Sequence, residues 1–139
     1  MVAVPTTVTD NKWYMAALFA IVSDISATGG RFSIGFVDPT ITQQLASIGV
    51  DVGIDATNFV LTDSVASAVS TYAVVQNEPI VGEMWCDGAG HVYARFGGGA
   101  VITITSSRVY AGSPWIVAEG GETAIVGSMG HLCLVTAQS

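Results

Sequence analysis

The chain has 139 residues, a length that fits one domain with a core of its own. Charged residues make up 11% of it and hydrophobic residues 50%, whereas an ordinary soluble domain has about 25% charged residues. The net charge is −7, with only four Lys and Arg. This composition argues against a nucleic-acid-binding surface and against attachment to an anionic membrane.

The first long apolar segment is YMAALFAIV, residues 14–22. It is shorter than the span of about 20 residues that a transmembrane helix needs, and it is a poor secretory leader, so we expect neither. The spacing of Tyr14, Leu18, Ile21 and Ile25 is helical. The same run also fits a strand buried on both faces, and we favour the helix because of its alanines.

Residues 31–37, RFSIGFV, read as a strand, and DPTITQQLASIG after them predicts a helix. In that helix Asp38 would be the N-cap, Pro39 would occupy the first turn and Gly49 would end it. The segments VDVGID and NFVLT follow as extended chain. DSVASAVSTYAVV again has helical spacing, although its valines and threonines weaken that prediction.

From residue 79 onward, strands alternate with glycine-rich turns: IVGEMWC and HVYARF flank DGAG, and PWIVA and TAIV flank EGGE. This pattern predicts a meander of hairpins. The predicted fold class is therefore α+β and β-rich. The chain would be one domain, 1–139, with a mixed part at 1–78 that holds one or two short helices and an antiparallel β meander or sandwich at 79–139.

All histidines and cysteines fall in two short segments, CDGAGH and HLC. If DGAG closes a hairpin, Cys86 and His91 lie opposite each other, while His131 and Cys133 share one face of their strand. Two such hairpins packed together would offer a tetrahedral zinc site. A disulfide between Cys86 and Cys133 is an alternative. We favour simple burial of Cys133 as a small hydrophobic residue, and expect no cofactor.

Aromatic residues give the better argument for recognition. Trp85, Tyr93 and Trp115 lie in the hairpin region, and the apolar face of a sugar covers an exposed aromatic ring well. These three residues are therefore candidates for binding a glycan. Burial in the core or at a subunit contact is the alternative, and we favour it, because Tyr and Trp are also enriched at interfaces.

No catalytic residue stands out. The sequence has no nucleophile elbow and no phosphate-binding loop, and the glycines of GAGHVYARFGGG do not stand between a strand and a helix. Glu119 and Glu122 at the EGGE turn could hold a calcium ion, although exposed acids at a turn are usually solvated. Asp51 and Asp55 are spaced like a pair of glycosidase carboxylates, a weak signal in an acidic chain.

The rear half contains GGGAVITITSS and EGGETAIVGS and almost no Lys. In its composition it resembles phage and viral virion proteins. That resemblance implies a non-enzymatic structural protein, a capsid-decoration or tail and fibre component located in the virion. A surface glycan-binding module, extracellular and using exposed aromatics, is the alternative. A small metal-binding enzyme that uses the histidines and cysteines is a second alternative.

The shortage of charge also predicts self-association. A monomer of this composition would expose apolar side chains, and large exposed apolar patches usually mark interfaces. We therefore expect a homo-oligomer, such as a trimer, whose partners are copies of itself and other virion proteins.

Overall fold

The computed structural model describes residues 2–5, 12–23, 25, 30–38, 43–106, 115–120 and 127–136. Within these ranges, only the backbone is described for 2–5, 43–44, 115–120, 127–129 and 131–136. Every regular element in the described ranges is a β-strand. No helix in them is long and apolar enough to span a bilayer.

The strands alternate with short turns along the chain. In order they are β1 (Val2–Pro5), β2 (Lys12–Ile21), β3 (Arg31–Asp38), β4 (Gln43–Asp51), β5 (Asn58–Thr62), β6 (Ser67–Ala73), β7 (Ile80–Asp87), β8 (His91–Phe96), β9 (Ile102–Thr105), β10 (Trp115–Gly120) and β11 (Gly127–Thr136).

The strands form two antiparallel sheets. The six-stranded sheet has the order β1-β10-β3-β4-β5-β6, and the five-stranded sheet has the order β11-β2-β7-β8-β9. The inner faces of both sheets supply one continuous hydrophobic core. The described part of the chain is therefore a β-sandwich, with one outward face on each sheet.

Phenylalanines join the two sheets at the centre of the core. Phe59 on β5 packs edge-on against Phe19 on β2, with ring centroids 5.7 Å apart, and stacks on Phe96 of β8 at 5.1 Å. Nearer one end, Trp13 on β2 meets Phe36 on β3 at 4.6 Å. Aromatic side chains bury large areas, so these pairs fix the position of β2 and β8 against the six-stranded sheet.

The predicted α+β class is wrong, because all three segments with helical spacing are strands. The run from Tyr14 is β2, in which buried and half-buried residues alternate strictly. A spacing of four residues fits a strand as well as a helix, since an even step returns to the same face. Tyr14 and Leu18 are indeed both half-buried on the outer face, whereas Met15 and Phe19 are buried.

The predicted helix from Asp38 to Gly49 is also wrong. Asp38 is the last residue of β3, and Gln43–Asp51 is β4, with residues 39–42 outside the described ranges. Ala46, Ile48 and Val50 alternate toward the core, which is the period of a strand. The third segment with helical spacing is β6, Ser67–Ala73.

The expected division at residue 78 does not describe how the sheets are built. β10 lies between β1 and β3, and β11 pairs with β2, so both sheets combine strands from the front and the rear of the chain. Of the two segments that flank EGGE, residues 115–118 belong to β10, whereas TAIV, residues 123–126, lies outside the described ranges. The hairpin of β7 and β8 is present, and β9 pairs with β8.

Candidate functional site

The outer face of the five-stranded sheet carries large polar and aromatic side chains in ordered rows. Because alternate residues of a strand face the same side, paired residues of neighbouring strands form rows across the sheet. Tyr14 pairs with Trp85, and Trp85 pairs with Tyr93. We call these three residues the aromatic row. One row further along the strands, Glu83 pairs with Arg95.

The three rings of the aromatic row have similar orientations. The centroids of Tyr14 and Trp85 are 6.5 Å apart with planes inclined by 30°, and those of Trp85 and Tyr93 are 5.8 Å apart with planes inclined by 15°. All three side chains are half-buried. Both pairs are stacked, so the row is one stack of three rings, from three strands, at the surface of the sheet.

An ion pair flanks the aromatic row on one side. Arg95 donates from Nε to Oε2 of Glu83 at 2.7 Å and from Nη2 to Oε1 at 3.0 Å, and Tyr14 donates its hydroxyl to Glu83 Oε1 at 2.7 Å. The two nitrogen contacts make this a bidentate pair, the most directional form of such a pair. The carboxylate thus holds the guanidinium and one end of the aromatic row in fixed positions.

The geometry of this pair sets the charge states of its members. The hydrogen bonds from Arg95 lower the pKa of Glu83, partial burial opposes that shift, and the Tyr14 hydroxyl adds to the lowering. The same pair raises the pKa of Arg95. Glu83 is therefore an anion and Arg95 a cation across the physiological pH range.

Asp87 and His91 flank the other side of the aromatic row, at the turn between β7 and β8. Tyr93 donates its hydroxyl to Asp87 Oδ2 at 3.3 Å, and the backbone N–H of Ala89 donates to Asp87 Oδ1 at 2.7 Å. His91 Nδ1 lies 3.3 Å from Asp87 Oδ2. The hydrogen bond from Ala89 is the main cause that lowers the pKa of Asp87. Desolvation and this carboxylate raise the pKa of Tyr93.

A surface depression of about 430 Å³ lies over this face, lined by Tyr14, Glu83, Trp85, Arg95 and Val101 together with the margins of Trp13 and Cys86. That volume falls within the range of about 300–1,000 Å³ that small-molecule sites occupy. Two rings of the aromatic row, Tyr14 and Trp85, therefore share one open depression with the Glu83–Arg95 ion pair, and Tyr93 is not part of its lining.

The outer face of the six-stranded sheet is different. Its depression, lined on that side by Arg31, Ser33, Ser47, Asp51 and Thr62 among others, holds about 10 Å³, which is roughly the space of a single water molecule. None of the outward side chains described on β3–β6 is aromatic. Of the two outer faces, the one on the five-stranded sheet has both the room and the rings for a ligand.

The three glycan candidates from the sequence divide between the sheets. Trp85 and Tyr93 are direct cross-strand partners in the aromatic row. Trp115 is the first residue of β10 in the other sheet, where it pairs with Val37, and only its backbone is described. The sequence analysis missed Tyr14, Glu83 and Arg95. Tyr14 joins the site through the pairing of β2 with β7, across more than sixty residues of chain, whereas Glu83 and Arg95 pair within the local hairpin of β7 and β8.

Of the four candidate metal ligands, the structure describes the side chains of Cys86 and His91 only. Cys86 pairs with Val92 rather than His91, and it is a buried free thiol whose pKa desolvation raises. His91 is exposed at the turn. His131 and Cys133 lie on β11 and pair with Leu18 and Ala16, in a stretch where only the backbone is described.

Among the described side chains, no group of three or more His, Cys, Asp and Glu could hold a metal ion. The hypothesis of a zinc site made of Cys86, His91, His131 and Cys133 stays a prediction. So does the calcium hypothesis, because only the backbone of Glu119 is described and Glu122 lies outside the described residues.

We expect Glu83→Gln to lower the free energy of unfolding at neutral pH by about 0.5–1 kcal/mol, since Arg95 is partly exposed and solvent screens the pair. The folded-state pKa of Glu83 lies below its unfolded value. The stabilisation is therefore full above the unfolded pKa of about 4.3 and disappears as the pH falls through the folded pKa.

Urea unfolding of the wild type and of Glu83→Gln, at neutral pH and near pH 3, checks this. The difference between the two proteins should shrink in acid. An Arg95→Gln variant and the double variant complete a mutant cycle that isolates the coupling of the pair. A coupling that does not change between the two pH values would contradict the assignment of Glu83 as an anion held by Arg95.

Comparisons with known proteins give a fold but no sequence family. No protein-family model and no curated protein sequence matches the chain. Solved galectin structures match nearly all of it. A single-site mutant of congerin II has a TM-score of 0.62 at 12% identity, covering 96% of this chain and 98% of that one.

Two further galectin structures also match the fold of this chain. A toad ovary galectin in complex with thio-digalactose has a TM-score of 0.57 at 8% identity and covers 97% of this chain and 99% of that one. A Caenorhabditis elegans galectin has a TM-score of 0.54 at 13% identity and covers 94% and 90%. This chain has a galectin-like fold. Galectins are carbohydrate-binding lectins and not enzymes, which agrees with the sequence-based expectation of a non-enzymatic protein.

The interpretation as a phage or viral virion protein is wrong, because the fold neighbours are galectins. Glycine-rich turns between strands of Ala, Ser, Thr and Val are what a compact antiparallel sandwich requires in general. That composition indicated β-structure and carried no information about a virion. The expected virion partners and virion location likewise have no support.

Proposed function

We propose that this protein is a glycan-binding module, and that it binds its ligand on the outer face of the five-stranded sheet. The observation that carries the proposal is the aromatic row of Tyr14, Trp85 and Tyr93 beside the Glu83–Arg95 pair. Sugars present apolar C–H faces and polar hydroxyl edges, so a suitable site needs ring surface next to fixed hydrogen-bonding groups.

The fold comparison supports the same class of ligand. Congerin II was solved with lactose and the toad galectin with thio-digalactose, and both share this fold. At 8–13% identity the likeness extends to the fold alone. The proposed residues therefore rest on the geometry of this chain.

A binding screen over immobilised neutral and acidic glycans tests the proposal, with free-sugar competition for each hit. We expect at least one neutral glycan to bind, and Trp85→Ala to weaken that binding at least tenfold, about 1.4 kcal/mol. Trp85 provides the central ring of the row, so its loss leaves the two outer rings without a continuous surface.

Val69→Ser is the matched control. Val69 is 40% exposed on the outer face of the other sheet, and its substitution should leave the affinity unchanged. If Val69→Ser weakens binding and Trp85→Ala does not, the ligand lies on the six-stranded sheet. If no glycan binds to the correctly folded wild type, the proposed function fails.

Self-association stays a prediction. The large hydrophobic side chains exposed in the described ranges are six valines: Val22, Val65, Val69, Val75, Val81 and Val101. Single exposed apolar residues are ordinary on a soluble protein. Light scattering of the purified chain, with and without a bound glycan, measures its oligomeric state directly.

A further inference from the structure

Trp85 lines the depression, and stacking holds its ring in place. Tyr14 lines the depression beside it, whereas Tyr93 does not. Among the residues that the structure describes, none forms a hydrogen bond with the Trp85 indole. The orientation of this ring therefore depends on the two rings stacked on it, Tyr14 with its centroid at 6.5 Å and Tyr93 at 5.8 Å.

Tyr93 is the closer and more parallel of these two neighbours. Its plane is inclined by 15° to that of Trp85, whereas the plane of Tyr14 is inclined by 30°. On β9, the next strand of the sheet, Tyr93 pairs with Thr103, a small exposed residue. Tyr93 thus stands against Trp85 without belonging to the lining of the depression.

The hydroxyl of Tyr93 is bonded to the turn between β7 and β8. It donates to Asp87 Oδ2 at 3.3 Å, while Asp87 Oδ1 accepts from the backbone N–H of Ala89 at 2.7 Å and of His91 at 3.3 Å. These backbone bonds, that of Ala89 above all, lower the pKa of Asp87, which keeps it a carboxylate at neutral pH. A tyrosine that is stacked along its ring and bonded at its hydroxyl keeps one orientation.

On the basis of the proposed function, we infer that Tyr93 is a positioning residue of the glycan site, which holds the Trp85 ring in the orientation that the glycan meets and acts through Trp85 without touching the glycan. Without Tyr93, the Trp85 ring would be stacked on one side only. The glycan would then have to order that ring as it binds, and this ordering reduces the affinity.

NMR relaxation of the glycan-free protein, labelled with ¹⁵N, tests the positioning directly. The chain has three tryptophans, and Trp85→Phe identifies the Nε1–H signal of Trp85. Its order parameter should be about 0.85 in the wild type and should fall toward about 0.6 or below in Tyr93→Ala. Tyr93→Phe keeps the stacked ring and should keep the order. The Trp13 signal, from a residue that is 3% exposed in the core, should not change in either variant.

Calorimetry measures the affinity of the same variants for the glycan that binds the wild type most tightly in the immobilised screen, added as the free sugar. Tyr93→Ala should weaken this binding about three- to tenfold, which corresponds to the loss of one aromatic pair. Tyr93→Phe should stay within about twofold of the wild type, because it loses only a long hydrogen bond at the surface. Thr103→Ala is the matched control on the other side of Tyr93 and should change neither the order nor the affinity.

An unchanged order parameter of Trp85 in Tyr93→Ala would overturn the positioning role, and so would a mobile ring with unchanged affinity. If Tyr93→Phe weakens binding as much as Tyr93→Ala while the Trp85 ring stays ordered, the Tyr93 hydroxyl contacts the glycan itself and the inference is wrong. In all three cases the proposed function stands. If no glycan of the screen binds to the folded wild type, the proposed function fails and the inference fails with it.

Discussion

Replacing Phe59 by Ala is expected to lower the free energy of unfolding by about 3–5 kcal/mol, the range for losing a buried aromatic side chain. Phe59 is 2% exposed, and its ring contacts Phe19 and Phe96 of the other sheet. Both the lost apolar contact and the cavity left between the sheets contribute to the effect. Urea unfolding followed by tryptophan fluorescence measures it.

The same substitution should weaken glycan binding, because the core lies directly behind the aromatic row. β2 carries both Phe19 and Tyr14, and β8 carries both Phe96 and Tyr93. Val65→Ala is the control: Val65 is 84% exposed at the turn between β5 and β6, and surface changes of this kind stay within about 0.5 kcal/mol. Similar destabilisation by the two variants would show that Phe59 does not join the sheets as described.

The strands of the rear half could be predicted because their pattern is local. The segment IVGEMWC–DGAG–HVYARF forms the hairpin of β7 and β8, so Trp85 and Tyr93 lie together on the outer face. The predicted register was one residue out. Cys86 pairs with Val92, because the loop consists of residues 88–90 and β8 begins at His91. A register shift of one residue moves every side chain of a strand to the opposite face. The predicted register therefore placed His91 opposite Cys86, where the structure has Val92.

The details of this turn explain the slip. Asp87 accepts hydrogen bonds from the backbone N–H groups of Ala89 and His91, and Gly88 and Gly90 have φ of 80° and 89°. Two glycines in the left-handed region close a three-residue loop that the letters DGAG alone do not distinguish from a four-residue one.

The sheet assignment could not be predicted, because it depends on contacts that are distant in sequence. β10 and β11 are neighbours along the chain, yet β10 pairs with β1 and β3 and β11 pairs with β2. The same applies to the site, in which Tyr14 on β2 meets Glu83 and Trp85 on β7. Alternation identifies the face of each strand but does not determine which strands become neighbours.

Gly49→Ala is expected to destabilise the protein by about 3 kcal/mol or more, because two unfavourable terms act at once. Gly49 on β4 has a φ of 149°, which side-chain-bearing residues rarely adopt. A Cβ at this position would lie 2.1 Å from the carbonyl oxygen of Phe32 on β3 and 3.1 Å from the Cα of Ser33. The neighbouring atoms are backbone, so β3 and β4 would have to separate at the middle of the six-stranded sheet.

Gly98→Ala separates the conformational cost of the positive φ from the steric cost of the added Cβ. Gly98 also has a positive φ, 84°, but a Cβ there would meet nothing within 4 Å. Its substitution should cost only the conformational term, about 1–2 kcal/mol. Thermal or urea unfolding of both variants beside the wild type measures the difference, which is the steric contribution at the pairing of β3 with β4. Equal destabilisation would mean that β3 and β4 can separate freely at this point, and that their close approach does not hold the six-stranded sheet in register.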